Sequence, residues 1–341
     1  MNALRLPIHL LLLATCTLAA PLAAQTSTEI VKGQRLTPKA FRAAAAEVLP
    51  SVVRIESFGG IPGGAGRVAG EGPTTGLIIS NDGYVVTSTF NFIKNPPIIT
   101  VVTGDERRHV AKLVGRDDTR KICLLKIDVK DELPVPRHAP VDELRVGQWA
   151  VSVGVGFGKA EPALSAGIVS AKNRMGGRAI QTDANTSPAN YGGPLVDIDG
   201  RVIGVCVPLA PGGGGDVGSG VEWYDSGIGF AIPLDGADKI LEAMKAGKNI
   251  APAFLGVAMK AAEDGVSGVT VSKLQGGGAA EKAGVKENDR VLKIDGEEIR
   301  DGAHLRALVG RRIAGDVITL TVRRGEQELD IEVALGERPQ G

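Results

Sequence analysis

Few side chains in this chain are equipped for chemistry. Of its four histidines, His9 lies in an apolar N-terminal stretch, and His109, His138 and His304 are isolated from one another. His109 and His138 read as surface residues. No cluster has metal-ligand spacing and no phosphate-cradling loop appears, so neither a metal nor a cofactor is expected. The stretch that matters most is Ser187-Pro188-Ala189-Asn190-Tyr191-Gly192-Gly193-Pro194-Leu195. Nucleophilic catalysis from such a turn needs a small hydroxyl, an imidazole to take its proton and a carboxylate to orient the imidazole. Here the turn offers Tyr191, whose phenol titrates near about 10 and is bulkier than a serine. The loop suggests a hydrolase, and its central residue argues against one.

The surrounding elements must be numerous and short. The 341 residues are enough for about two domains. Lys plus Arg and Asp plus Glu are equal at 39 each, so no global field recruits nucleic acid or an anionic membrane. Aromatic residues are only 4%, which leaves no base-stacking platform. Thr37 as N-cap and Pro38 in the first turn predict a helix to Val48, with residues 25–36 polar and loose. Short apolar runs follow at 51–56, 75–79, 84–87, 98–102, 109–114, 122–127, 149–155, 167–171, 179–182, 193–196, 202–207 and 227–232. Asn81-Asp82-Gly83 marks a hairpin turn. Such spacing indicates an all-β barrel or sandwich. Gly59–Gly72 and Pro211–Gly220 are glycine-rich loops, and Leu234–Ala246 reads as a helix ended by Gly247. From Ala253 the pattern changes to a compact α+β unit, with helices at 279–283 and 301–309 and long strands at 316–324 and 327–334.

Arg5, the apolar stretch Leu6–Ala20 and the small residues up to Ala24 predict a signal peptide cut after Ala24, hence a secreted or periplasmic protein. An uncleaved anchor would need a longer apolar run, and no later segment could span a membrane. Lipid anchoring at Cys16 is disfavoured by Thr15 beside it. Export permits a disulfide between Cys123 and Cys206, but both also read as small buried hydrophobes.

Residues 37–336 resemble the HtrA/Deg family, in which a trypsin-like double β-barrel precedes a PDZ domain. The motifs that carry the resemblance are Gly83-Tyr84-Val85-Val86-Thr87, Gly115-Arg116-Asp117 with Leu124-Leu125-Lys126-Ile127, Ile180-Gln181-Thr182-Asp183-Ala184, Gly192-Gly193-Pro194-Leu195-Val196 and Gly227-Ile228-Gly229-Phe230-Ala231-Ile232-Pro233. The resemblance implies a mainly β fold, organised as signal peptide 1–24, flexible segment 25–36, protease-fold domain 37–247, linker 248–252, PDZ domain 253–336 and tail 337–341. It also locates the family's catalytic positions. The histidine position holds Phe90, the aspartate position Lys121 and the serine position Tyr191. Ala189 replaces the glycine of the oxyanion hole, where a Cβ restricts the backbone.

None of these side chains can perform the family's role, so no catalytic residue is expected. Phe90 and Tyr191 are expected to fill the cleft, and Lys121 to reach solvent or pair with Asp117 or Asp118. The rescue left open is a serine–lysine dyad, with Lys121 as base and Ser187, Ser88 or Thr89 nearby.

The PDZ resemblance retains its working parts. Phe254-Leu255-Gly256-Val257 resembles the carboxylate-binding loop, whose backbone N–H groups hold a peptide's C-terminus while the peptide extends the sheet. His304, Leu305 and Leu308 would line the side-chain pocket. Leu255 and Val257 also fit simple core positions. The expected partners are protein or peptide C-termini and unfolded or envelope proteins, with a homotrimer or mixed oligomer with active relatives in view. The resulting reading is a pseudoprotease serving as scaffold, chaperone-like factor or regulator of protein quality control. The alternatives are an active endopeptidase with a non-standard site and a purely structural envelope protein.

Overall fold

The structure, a computed structural model, describes residues 27–58, 74–92, 96–209, 227–260 and 267–337. The expected signal peptide and Cys16, both glycine-rich insertions and residues 338–341 lie outside the described residues. The chain divides into two compact units between Lys39 and Ala40.

The first element differs from expectation. Helix α1 spans Ser27–Val48 and contains Pro38, so the stretch 25–36 is helical from Ser27 instead of loose. Glu29, Lys32, Gln34, Arg35 and Leu36 are all good helix formers, which outweighs the one N–H that Pro38 lacks. The last turns bury Ala44, Ala45 and Val48.

Two closed six-stranded barrels follow. The first comprises β1 (Val52–Phe58), β2 (Thr74–Ile78), β3 (Tyr84–Ser88), β4 (Ile98–Val102), β5 (Arg108–Asp117) and β6 (Ile122–Ile127). The second comprises β7 (Trp149–Gly154), β8 (Ala163–Asn173), β9 (Ala179–Thr182), β10 (Pro194–Val196), β11 (Val202–Val207) and β12 (Gly229–Ile232). A short helix, α2 (Arg174–Gly177), interrupts the β8–β9 connection. Strands β2 and β3 pair as expected, but through a four-residue loop closed by the Ile79 N–H on the Tyr84 carbonyl at 2.9 Å. Gly83 sits in that loop at φ 103°.

Why the strands read as continuous apolar runs is visible in their burial. Successive residues face different cores. Val53, Ile78, Val85 and Cys123 fill the interior of the first barrel. Their neighbours Val52, Leu77, Val86 and Ile122 join Val151, Val153, Val155 and Val205 of the second barrel in a shared core. Both faces of these strands are therefore dry, so no polar alternation appears. A third core, inside the second barrel, includes Leu144, Ile180, Leu195 and Cys206.

Helix α3 (Asp238–Lys245) begins four residues later than expected, because Leu234–Ala237 forms a turn closed by the Ala237 N–H on the Leu234 carbonyl. The remaining unit has its own core. It contains β13 (Ala253–Phe254), β14 (Val257–Met259), β15 (Val269–Leu274), α4 (Ala279–Lys282), β16 (Arg290–Ile294), β17 (Glu297–Glu298), α5 (Gly302–Gly310), β18 (Val317–Arg324), β19 (Gln327–Ala334) and β20 (Gly336–Glu337). The main sheet runs β14-β15-β16-β18-β19, so β14 is an edge strand.

Candidate functional site

The loop 187–193 is held by hydroxyls from the first barrel. Thr74 Oγ1 reaches the carbonyls of Tyr191 at 2.7 Å and Pro188 at 3.1 Å. Thr75 Oγ1 donates to the Ala189 carbonyl at 2.7 Å and accepts from the Val155 N–H at 2.8 Å. All these groups are buried or partly so, where a hydrogen bond left unmade costs about 1–3 kcal/mol. Gly192 lies at φ +84°, and a Cβ there would collide with Thr87 Oγ1 and the Thr75 carbonyl. Sequence reasoning had missed these threonines. They sat in an apolar strand pattern, and nothing local marked their hydroxyls as partners of a loop more than a hundred residues away.

Inside this frame, the residues assigned to the catalytic positions come together. The rings of Phe90 and Tyr191 meet edge to face, with centroids 5.4 Å apart and planes at 71°. They are only 4% and 2% exposed. Edge-to-face aromatic pairs add about 0.5–1.5 kcal/mol beyond their burial. Lys121 lies at the same junction, because its carbonyl accepts the Thr89 N–H at 2.9 Å. It occupies the left-handed region at φ 57°.

The expectation that Lys121 reaches solvent is corrected: it is 4% exposed. The fully buried Asp117 is engaged by Arg120, through its backbone N–H at 2.9 Å and Nη1 at 2.7 Å. The other face of Arg120 donates from Nη2 to the Arg311 carbonyl at the end of α5, at 3.2 Å. Asp118 pairs with Arg116 at 3.3 Å.

The backbone donors from Asn190 to Gly193 are turned inward. The N–H groups of Asn190 and Tyr191 both donate to the Ser187 carbonyl at 2.9 Å. Gly192 N–H donates to the Cys206 carbonyl at 2.8 Å, and Gly193 N–H to the Asn190 carbonyl at 2.9 Å. An oxyanion hole needs such donors directed at the substrate. Ala189 is 8% exposed and lies outside the left-handed region.

Histidines are elsewhere. His109 is on β5, half-buried rather than at the surface, with its ring beside Thr103 Oγ1 (3.4 Å) and the Asp128 carbonyl (3.3 Å). His138 is exposed before β7, and His304 is in α5. Cys123 and Cys206 are free and buried in different barrel interiors. Burial raises both thiols, that of Cys206 to about 12. Among the described residues no His/Cys/Asp/Glu group could hold a metal, and no helix is long and apolar enough to cross a membrane.

Residues 74–205 match the trypsin-like peptidase domain and residues 253–335 the PDZ domain. A probable periplasmic serine endoprotease DegP-like from Marinomonas sp. (strain MWYL1) is 34% identical over 279 residues, covering 78% of this chain and 57% of that protein. The chain belongs to the HtrA/DegP family. A DegP-like relative from Chlamydia muridarum is 31% identical, covering 78% of this chain and 54% of its own length. The chain thus spans a little over half the length of these curated relatives. Among solved structures, the HtrA-type protease AlgW with tripeptide is 28% identical with a TM-score of 0.67, covering 88% of this chain and 98% of that one. AlgW with decapeptide gives 27% and 0.64.

The HtrA/DegP-type PDZ unit holds the other expected site. Phe254 ends β13, Val257 opens β14, and Leu255 and Gly256 join them, with Gly256 at φ +78°. The Leu255 carbonyl accepts from Ala280 N–H and the Gly256 carbonyl from Gln275 N–H, both at 2.9 Å. In a trans peptide the N–H points opposite to the carbonyl, so the Gly256 and Val257 N–H groups point away from the 275–280 turn. Helix α5 starts on Asp301, whose carboxylate accepts the His304 N–H at 2.7 Å. His304 Nε2 lies 3.3 Å from Glu297. Leu305 and Leu308, expected to line the pocket, are 2% and 6% exposed and belong to the core beneath it.

Proposed function

We propose that this chain is a periplasmic HtrA-like pseudoprotease that binds peptide C-termini or unfolded segments through its PDZ groove. It would act as scaffold, chaperone-like factor or regulator in envelope protein quality control. The observation that carries this reading is the Phe90–Tyr191 ring pair, buried where a general base and a nucleophile would have to meet. Neither side chain can exchange roles with imidazole or serine. The inward-turned N–H groups of Asn190 and Tyr191 support it further. On the binding side, support comes from the open edge of β14 and the outward N–H groups of Gly256 and Val257. The peptides named with the AlgW structures belong to those proteins, and they support the same use here.

The second reading is an active serine endopeptidase with a non-standard site, and it is favoured by the names of the relatives. One experiment separates the two. The purified protein is incubated with unfolded casein and with a fluorophosphonate probe. No cleavage and no labelling are expected. Turnover that disappears in Ser187→Ala or Lys121→Ala would establish the second reading. A peptide array with free and amidated C-termini tests the groove, and equal binding to both forms would remove carboxylate capture.

The same reading includes self-association, as a homotrimer or with active relatives. Trp149, 49% exposed, meets Phe41 edge to face with ring centroids 5.2 Å apart, and Val146 is also exposed. Sedimentation velocity of the full chain tests this, with a monomer at micromolar concentration counting against it.

A further inference from the structure

The edge of β14 has a charge pattern of its own, which gives the peptide-binding reading a sequence preference and rests on that reading. A chain added along β14 alternates its side chains between two faces of the sheet. On one face, toward α5, Val257 and Met259 are half-buried. On the other, Ala258 and Lys260 are exposed. Ala258 stands directly opposite Lys273 of β15, so the exposed Lys273 shares the outer face. Cross-strand and diagonal neighbours on one face are close enough to interact.

Some cations of the same unit are neutralised by ion pairs. Arg312 pairs with Asp295, Arg323 with Glu328 and Arg324 with Asp289. Among the described residues, the Lys260 side chain is held by a neutral amide, Asn288 Oδ1 at 2.8 Å. Lys273 has no ion-pair partner among the described residues, and neither does Arg306. Arg306, on α5, stands at the other face of β14, beside Met259. Its Nη1 lies 3.7 Å from the point where a Cβ on Gly302 would sit, and Met259 Sδ lies 3.2 Å from that same point. The nearby carboxylate Glu297 is already engaged by His304.

We infer that the groove selects C-terminal segments carrying an acidic side chain one or three residues before the terminal carboxylate, with Lys273 and Lys260 determining the preference. The register follows from the loop. A carboxylate held at the Gly256 and Val257 N–H groups turns the terminal side chain into the groove. The residue before it, and the one two further back, then lie over the row Ala258, Lys260 and Lys273. Arg306 adds to the field at the Met259 end. Exposed pairs of this kind contribute little singly, so the selection comes from two or three cations acting together.

The test uses the full chain and labelled peptides ending in an apolar residue, with Glu or Lys at both outward positions, each with a free or an amidated C-terminus. Fluorescence anisotropy at low salt is expected to show the Glu peptide binding about 3- to 10-fold more tightly than the Lys peptide. The ratio should fall toward one in high salt. It should reverse in the double variant Lys260→Glu, Lys273→Glu, whose retained binding of the Lys peptide reports an intact groove. Equal affinity for Glu and Lys peptides, with the free carboxylate still preferred, overturns the charge selection alone. Absence of binding by every peptide overturns the groove reading and this preference with it.

Discussion

The barrel junction and the PDZ groove are made of similar parts in opposite arrangements. Each has a glycine in the left-handed region, Gly192 at φ +84° and Gly256 at φ +78°, inside a tight loop that gathers backbone N–H groups. At the junction the N–H groups of Asn190, Tyr191, Gly192 and Gly193 are satisfied by carbonyls of the protein itself, and the rings of Phe90 and Tyr191 pack edge to face. In the groove the carbonyls of Leu255 and Gly256 are tied back, the N–H groups of Gly256 and Val257 point away from them, and the adjacent β14 is an edge strand among the described residues. A loop's shape and its chemistry are thus encoded by different residues. Glycines and threonine hydroxyls preserve the shape at the junction, while three side chains decide what it can do.

The sharpest way to break this comparison is to empty the junction. Tyr191→Ala removes a nearly fully buried ring and leaves a cavity between two well-packed barrels. The expected loss of stability is about 3–5 kcal/mol, read from urea unfolding midpoints. Affinity for a C-terminal peptide in the PDZ groove should not change at a temperature where the variant remains folded. A loss below about 1 kcal/mol would mean that Tyr191 is not a packing residue at all. Restoring the family's residues together, by Phe90→His, Lys121→Asp, Ala189→Gly and Tyr191→Ser, asks the reverse question. Casein cleavage by that variant would show that the retained frame is still competent.

A smaller effect belongs to the PDZ unit's own framework. Asp289, 1% exposed, accepts Arg324 Nε at 2.8 Å, Arg324 Nη2 at 2.7 Å and the Lys286 N–H at 2.8 Å. Burial by itself raises its pKa most, but Arg324 and the Lys286 N–H outweigh this and leave it lowered. A carboxylate with a depressed folded pKa contributes stability at pH values above its unfolded pKa of about 4, and loses it as pH falls through the folded value. Asp289→Asn should therefore cost about 1.5–3 kcal/mol at pH 7, toward the lower end because Arg324 is about a third exposed. The gap between wild type and variant should narrow at about pH 3. A gap that stays constant with pH would assign the loss to packing instead of charge.

How far the sequence carried these arguments varies by residue. Barrel strands were legible because Val52 and Val53, Leu77 and Ile78, or Ile122 and Cys123 face different cores, which forces runs of apolar residues. The start of α1 was not, because Thr37-Pro38 is a helix-start signal that here lies within a longer helix. Helix α2 gave no signal at all: it is four residues long, and Met175 and Gly176 sit at positive φ. Phe90 and Tyr191 were placed by their motifs, and their contact follows from the fold. The burial of Lys121 was not legible, because it depends on where the β5–β6 turn lies in the fold and not on its sequence neighbours. Lys260 and Lys273 were passed over for the same reason. Only strand pairing places them on one face.

The junction's ring pair can be weighed directly. A double-mutant cycle on Phe90→Leu and Tyr191→Leu keeps much of the apolar volume while removing the edge-to-face geometry. The coupling between them should be about 0.5–1.5 kcal/mol. Additive losses would mean that each ring simply fills its own space.

The smallest expected stability change lies at the groove's turn. Gly256→Ala places a Cβ in the left-handed region, 3.3 Å from the Gly278 Cα. The strain costs about 1 kcal/mol, which the isolated PDZ core can absorb. Relief of that strain rotates the peptide planes on either side of residue 256, and those planes carry the N–H groups proposed to hold the carboxylate. Affinity for a free C-terminus should therefore fall about tenfold, more than the stability change alone would suggest. Binding of the amidated peptide, which makes no such contact, should be nearly unaffected. If both peptides weaken equally, the loop acts only as a structural support for β14, and the open groove would resemble the filled junction more closely than their backbones imply.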